Sequence, residues 1–284
     1  MLSRIRTYAS FIRFGHTVFA LPFALCGALL AGLEVELTWG RVGWIVLAMF
    51  TARTAAMAFN RLVDARYDAL NPRTRGREIP RGRVSRREAG GIAFMAAAAF
   101  VAATYPLGPV CFALSPVALA IVFWYSLAKR HTAYTQLFLG LALAVAPVGG
   151  WLAAGGGGAA TPWLLALATG AWVAGFDVIY ACEDVEFDRR HGLRSIPVRF
   201  GIERALRLSR WLHVVTVAGL AALAWMVPLG PVYLAGVGGV ALLLVYEQSL
   251  VSAADLSRVK QAFDLNGYVG ILYLATTAAA IHVG

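Results

Sequence analysis

Charged residues are scarce in this chain of 284 residues: Asp, Glu, Lys and Arg make up 14% of it, whereas soluble domains contain roughly 25%. Hydrophobic residues make up 60%. So few charges cannot cover a water-exposed surface, which excludes a soluble globular fold. Cysteine is also rare. Cys26, Cys111 and Cys182 lie in apolar stretches without the spacing of a disulfide framework or a metal site, so they indicate no function.

The apolar residues occur in blocks of about 16 to 22, close to the ~20 residues with which a helix crosses the hydrocarbon of a bilayer. They predict an all-α polytopic membrane protein with nine transmembrane helices. The first block follows a basic segment, and we expect it to be a retained span and not a cleaved signal peptide. The segments YPLGP (105–109) and VPLGP (227–231) predict tight turns between antiparallel helices. The predicted spans are 16–33, 42–63, 90–105, 110–127, 133–154, 163–182, 211–227, 232–246 and 265–283.

The net charge of +10 has a topological explanation. With nine spans, all 25 Lys and Arg residues except Arg41 and Arg53 fall in segments on one side of the membrane. The positive-inside rule makes that side cytoplasmic, which predicts a bacterial-type inner membrane protein. Nucleic acid is not an expected partner, because no soluble basic domain is present to bind it.

Two acidic clusters follow the second and sixth predicted spans, on the cytoplasmic side. Residues four apart lie on one face of a helix, where like charges repel by a few tenths of a kcal/mol, so a bound cation would relieve each cluster. Carboxylate and amide oxygens suit Mg²⁺, which often completes its coordination with substrate phosphates. The clusters therefore predict a Mg²⁺ site that holds a diphosphate. They consist of Asn60, Asp64 and Asp68 in the first and Asp177, Asp184 and Asp188 in the second.

Two charged residues lie inside apolar runs. Arg53 and Asp177 would each cost at least ~2.5 kcal/mol in a membrane span without a cavity or a partner, so each is a candidate functional residue. Arg53 precedes Asn60 by seven residues and should therefore share its helical face. An ion pair between Arg53 and Asp177, or another acid, is the structural alternative.

An internal sequence repeat predicts that the chain consists of two related halves. Asp64 and Asp68 recur as Asp184 and Asp188, and the segment REIP (77–80) recurs as RSIP (194–197). We expect one transmembrane domain over residues 1–284, with halves of about 1–130 and 131–284.

These motifs resemble those of the UbiA family of intramembrane aromatic prenyltransferases, similar to 4-hydroxybenzoate polyprenyltransferases. The family has NxxxDxxxD, matched by Asn60-Arg-Leu-Val-Asp64-Ala-Arg-Tyr-Asp68, and a later DxxxD, matched by Asp184-Val-Glu-Phe-Asp188. The resemblance implies a helical bundle around a central cavity open to lipid. A polyprenyl diphosphate and an aromatic acceptor would meet there with Mg²⁺ as cofactor, and no obligate protein partner is implied.

The resemblance also implies individual roles. The metal ligands would be Asn60, Asp64, Asp68, Asp184 and Asp188, with the four aspartates and Asp177 as the catalytic set. Arg77, Lys129 and Arg130 would bind phosphate oxygens. Tyr125 and Lys129 match a YxxxK feature, and Tyr125 could shield an allylic cation unless it is only an interfacial aromatic. Arg53 could hold an acceptor carboxylate, and His16 lies at a helix entry.

The acceptor stays open at this stage. The family resemblance implies an aromatic hydroxy acid in ubiquinone or menaquinone biosynthesis, either 4-hydroxybenzoate or 1,4-dihydroxy-6-naphthoate. The opening RFGHTVFALPFALCGALLAG (13–32) and the segment NPRTRGREIPRG (71–82) depart from the 4-hydroxybenzoate members and look more like the branch of futalosine-route menaquinone synthesis, where the acceptor is a dihydroxynaphthoate. Alternatives are a family branch with a haem, chlorophyllide or glycerol-phosphate acceptor and, from another class, a cation-coupled transporter. The glycine run 155–158 lacks the context of a phosphate-binding loop.

Overall fold

The computed structural model describes residues 7, 8, 10–12 and 19–283, and this part of the chain contains helices and no strands. The predictions about His16 and the N-terminal basic residues lie outside it. Short helical turns at Tyr105–Leu107, Cys182–Asp184, Val185–Arg190 and Ile196–Phe200 accompany the long helices. The long helices are α1 Leu21–Ala31, α2 Trp39–Leu70, α3 Arg86–Thr104, α4 Pro109–His131, α5 Thr135–Ala154, α6 Thr161–Ala181, α7 Ile202–Met226, α8 Gly230–Ser249 and α9 Val259–Val283.

The membrane architecture follows from these lengths. Each predicted span overlaps one long helix, and α2 to α8 are long and apolar enough to cross a membrane. Helix α1 has only 11 residues, and α9 is not among the seven spanning candidates of the described chain. The all-α membrane fold is therefore confirmed, whereas the count of nine spans stays a prediction.

The helices form a ring in chain order. Each long helix packs against the next, and α9 packs against α1, which closes the ring. Helices α1 and α5 are in backbone contact, because a Cβ at Gly27 would lie 2.1 Å from the Pro147 carbonyl oxygen and one at Gly150 would lie 1.9 Å from that of Ala24. Only glycine permits this backbone contact, which holds α1 across the bundle.

Local sequence signals explain the helix ends. Ser85 and Glu88 form a reciprocal capping box at the start of α3. Both predicted Pro/Gly turns are present: Gly108 (φ 117°) separates the turn after α3 from α4, and Gly230 (φ 66°) begins α8. Large exposed aromatic residues near helix ends are typical of membrane proteins: Trp39 at the start of α2 is 90% exposed, and Trp225 near the end of α7 is 87% exposed.

The structure confirms one expectation about the acidic clusters and corrects another. Helix α2 continues to Leu70, so the first acidic cluster lies on one helix, as its spacing of four predicts. Lys129, which follows the predicted span 110–127, lies in the last turn of α4 and not in a loop. The second cluster does not form one continuous stripe, because the turn Cys182–Asp184 interrupts the helix between Asp177 and Asp188.

Candidate active site

A polar cavity of about 280 Å³ lies where the C-terminal ends of α2, α4 and α6 meet. It brings together residues that are more than a hundred positions apart in the chain. All of the site residues predicted from the sequence line it except Arg130, which contacts Asp64 from beside it. They are Arg53, Asn60, Asp64, Asp68, Arg77, Tyr125, Lys129, Asp177, Asp184 and Asp188.

Asp64 is the most densely contacted carboxylate of the first cluster. It is buried, and its two oxygens accept hydrogen bonds from Lys129 Nζ at 2.7 Å and from Arg130 Nη2 at 2.9 Å. Asn60 Nδ2 lies 3.3 Å from the same carboxylate and 3.4 Å from Ser126 Oγ. The end of α4 thus presents two cations to one acidic side chain of α2.

Asp68 lies one turn further along α2 and is also buried. Arg77 Nη1 donates to its Oδ1 at 2.7 Å, while its Oδ2 is buried without a hydrogen-bond partner in the described chain. The Thr74 hydroxyl caps the helix end by donating to the Asp68 carbonyl oxygen at 3.2 Å. The segment after α2 therefore folds back over the acidic face of its own helix.

The second cluster is joined to the same segment through Asp184. Arg73 donates from Nε at 3.1 Å and from Nη2 to the two oxygens of Asp184, and from Nη1 to the Tyr180 hydroxyl at 2.5 Å. Asn71 Nδ2 donates to Asp184 Oδ1 at 3.0 Å. Burial lowers the pKa of Arg73, but the hydrogen bond and the charge of Asp184 outweigh burial, so this pKa lies above its usual value.

Arg73 and Asn71 were missed at the level of sequence. Both lie in the segment NPRTRGREIPRG, whose several arginines look alike in sequence. The local signal was the end of α2: Asn71 is its C-cap, and the Asn71 side-chain oxygen accepts from the Arg73 backbone N–H at 2.9 Å, an Asx turn that reverses the chain. Tyr67 was also missed, and its ring lies 5.9 Å from Lys129 Nζ.

The donor atoms at this cavity suit a hard cation. Carboxylate and amide oxygens are the ligands that Mg²⁺ prefers, and the buried Asp68 Oδ2, which has no hydrogen-bond partner among the described residues, can ligate a cation. In the described residues, no three His, Cys, Asp or Glu side chains are grouped closely enough to hold a metal together. In this structure lysine and arginine side chains form ion pairs with Asp64, Asp68 and Asp184.

An apolar cavity of about 710 Å³ lies deeper in the bundle. It shares Arg53, Tyr125 and Leu143 with the polar cavity, so the two spaces are neighbours. Its other walls are almost entirely aliphatic side chains of α2, α4, α5 and α6. This combination fits an amphiphile with an anionic head and a hydrocarbon tail, which is typical of a membrane enzyme of lipid or isoprenoid metabolism.

Comparisons with known proteins agree with this class. Residues 20–273 match the UbiA prenyltransferase family. A 4-hydroxybenzoate octaprenyltransferase of Vibrio parahaemolyticus serotype O3:K6 (strain RIMD 2210633) is 31% identical over 83% of this chain and 82% of its own. The apo structure of a UbiA homolog from Aeropyrum pernix K1 is 37% identical, with a TM-score of 0.86 over 93% of this chain and 97% of that one. A UbiA homolog from Archaeoglobus fulgidus bound to GPP and Mg²⁺ shares the fold at 23% identity, with a TM-score of 0.73 over 98% of this chain and 100% of that one.

The chain belongs to the UbiA prenyltransferase family. It is an integral membrane enzyme that transfers prenyl groups. The resemblance drawn from the two acidic motifs is therefore confirmed, and the transporter alternative is wrong.

Proposed function

We propose that this enzyme transfers a polyprenyl group from a polyprenyl diphosphate to an aromatic hydroxy acid, with Mg²⁺, at the cytoplasmic face of a bacterial inner membrane. One observation carries the proposal: both acidic clusters line one polar cavity, which borders a larger apolar cavity. The diphosphate then lies among the charged residues and the prenyl chain in the apolar cavity. The excess of basic residues on this side supports the cytoplasmic orientation.

Mg²⁺ would neutralise the diphosphate and stabilise it as a leaving group. Its ligands would be Asn60, Asp64, Asp68, Asp184 and Asp188. As Asp64, Asp68 and Asp184 turn to the metal, the cations now paired with them turn to phosphate oxygens. These cations are Arg73, Arg77, Lys129 and Arg130. We propose that the two clusters occupy matching places in two related halves of one domain.

The reaction is an electrophilic substitution. The allylic C–O bond of the prenyl diphosphate breaks, and both bonding electrons leave with the diphosphate. A ring carbon of the acceptor attacks the allylic cation, and the ring then loses a proton. Tyr125 lines both cavities, at the boundary where the cation forms, and its ring face can stabilise that charge. Asp177 lines the polar cavity and is our candidate for the residue that accepts the proton, alongside water and diphosphate.

The position of Arg53 supports an acceptor that carries a carboxylate. It lines both cavities in the bilayer, next to Tyr125, where its guanidinium can hold an acceptor carboxylate beside the cation. The named relatives support 4-hydroxybenzoate, whereas segment 71–82 looks like the menaquinone branch, which favours 1,4-dihydroxy-6-naphthoate. An aromatic acid is common to both.

The test is product formation by purified enzyme in detergent with Mg²⁺ and geranyl diphosphate, with each acceptor offered separately. We expect prenylated product from one acceptor, lost on chelation of Mg²⁺ and in Asp64→Ala. Asp264→Ala is the matched control, because it removes an equal charge from an exposed pair with Lys260 on α9. No diphosphate release with either acceptor, or release unchanged in Asp64→Ala, would refute the proposal.

A further inference from the structure

Three buried polar side chains form a hydrogen-bonded chain between α6, α8 and α9. Trp172 Nε1 donates to Asn266 Oδ1 at 2.6 Å, and Asn266 Nδ2 donates to Glu247 Oε1 at 3.0 Å. Each of the three has 0% exposure, and Glu247 Oε2 has no hydrogen-bond partner among the residues described. None of them lines either cavity. An ionisable residue inside a membrane helix is unfavourable to insert and usually has a role beyond packing.

Three phenylalanines, here called the aromatic wall, form one side of the polar cavity: Phe19, Phe176 and Phe263. Their ring centroids are 5.7 Å apart for Phe19 and Phe176, 5.4 Å for Phe19 and Phe263, and 5.5 Å for Phe176 and Phe263. These distances are those of favourable aromatic contacts. The aromatic wall therefore presents apolar ring surface in a cavity that is otherwise rich in charge.

The hydrogen-bonded chain lies directly behind the aromatic wall. Trp172 precedes Phe176 by one turn of α6, with their ring centroids 5.2 Å apart, and it also contacts Phe19 at 6.4 Å. Asn266 follows Phe263 by one turn of α9. The bond from Trp172 to Asn266 consequently fixes α6 against α9 at the level where Phe176 meets Phe263. Glu247, together with the carbonyl oxygens of Ala262 and Phe263, holds the Asn266 amide in the orientation that this bond needs.

We infer that Trp172, Asn266 and Glu247 are positioning residues that keep the aromatic wall closed and thereby keep water from the allylic cation. The inference rests on the proposed function. When the allylic C–O bond breaks, the cation has two fates. Attack by a ring carbon of the acceptor forms a C–C bond and releases the ring proton, whereas attack by a water oxygen forms a C–O bond, releases a water proton and gives the prenyl alcohol. The fixed rings decide between these fates by excluding water and by offering their faces to the cation.

The experiment measures the ratio of prenyl alcohol to prenylated acceptor, with geranyl diphosphate, Mg²⁺ and whichever of the two acceptors the wild-type enzyme uses. Alcohol formed in Asp64→Ala is subtracted as background. This ratio is a property of each active molecule, so a smaller folded fraction does not change it. Asn266→Leu and Glu247→Leu break the chain, and Trp172→Phe removes its first donor while keeping an aromatic ring. Glu247→Gln keeps the acceptor oxygen that Asn266 needs.

Tyr233→Phe is the matched control. Tyr233 is also fully buried, and its hydroxyl joins α8 to α9 through Tyr273 at 2.9 Å, but neither tyrosine lines the polar cavity. We expect the alcohol ratio to rise at least about threefold in Asn266→Leu and Glu247→Leu. Glu247→Gln and Tyr233→Phe should match the wild type, whatever their thermal stability.

An unchanged ratio in Asn266→Leu, Glu247→Leu and Trp172→Phe, with normal wild-type product, would overturn this inference and leave the proposed function intact. An equal rise in Tyr233→Phe would also overturn it, because general loosening of the bundle would then explain the leak. Wild-type enzyme that makes no prenylated product from either acceptor would overturn both proposals together.

Discussion

Replacing Asp64 with asparagine should have opposite effects on diphosphate binding and on turnover. In the enzyme described here, Asp64 pairs with Lys129 and Arg130, whose side chains are 27% and 22% exposed. Pairs of this exposure contribute about 0.5–1 kcal/mol each, and both must break before these cations can face a phosphate. Asp64→Asn removes that competition, so inorganic diphosphate without Mg²⁺ should bind about 5 to 30 times more tightly. Mg²⁺-dependent turnover should fall by about 100-fold or more, because a metal ligand is lost.

Isothermal titration calorimetry of detergent-solubilised protein in EDTA measures the first effect, and product formation measures the second. Asp264→Asn controls for net charge, because the Lys260–Asp264 pair is exposed and lies on the surface of α9. Diphosphate affinity that is unchanged or weaker in Asp64→Asn would refute the idea that the acidic clusters hold the phosphate-binding cations before substrate arrives. An equal gain in diphosphate affinity in Asp264→Asn would mean that the net charge of the protein alone explains the effect.

Three further predictions follow from single contacts. Arg73→Leu should lower kcat/KM about tenfold with little loss of thermal stability, since it removes the paired donors that orient the second acidic cluster; unaltered kinetics would exclude that role. Gly150→Ala should destabilise the protein by more than about 2 kcal/mol in thermal unfolding, because its Cβ would meet the α1 backbone, whereas Gly149→Ala should not, as no atom lies within 4 Å of a Cβ there. Ser85→Ala should cost about 1 kcal/mol in the same assay by loss of the capping box, with turnover retained because Ser85 does not line the cavity.

Charged side chains line one cavity of the bundle and aliphatic side chains line the other. This arrangement suits the proposed substrate, which has an anionic head and a hydrocarbon tail. Arg53 and Tyr125 lie at the boundary of the two cavities, so bond cleavage is expected where the anionic head ends and the chain begins. The deeper space is lined by small and aliphatic residues, Ala and Gly among them, which leave room for a tail without offering it polar partners. The volume available to the tail is set by the distances between these residues, which depend on how the helices pack.

The sequence by itself determined the membrane class, the positions of the helices and the members of the acidic clusters. These features follow from local rules: apolar block length, Pro/Gly turns, and carboxylates repeated at helical spacing. It also predicted that Arg53 and Asp177 would lie at the site, because a buried charge in a bilayer needs a cavity or a partner. In the structure both residues line the polar cavity.

Only the tertiary structure decided which groups meet. Arg73, Arg75 and Arg77 are equivalent in sequence, but the turn after α2 directs Arg73 to Asp184 and Arg77 to Asp68. The chain from Trp172 through Asn266 to Glu247 joins residues up to 94 positions apart on three helices, so no local pattern reveals it. Helix ends are dictated by near neighbours in the chain, whereas contacts between helices depend on how the whole ring closes.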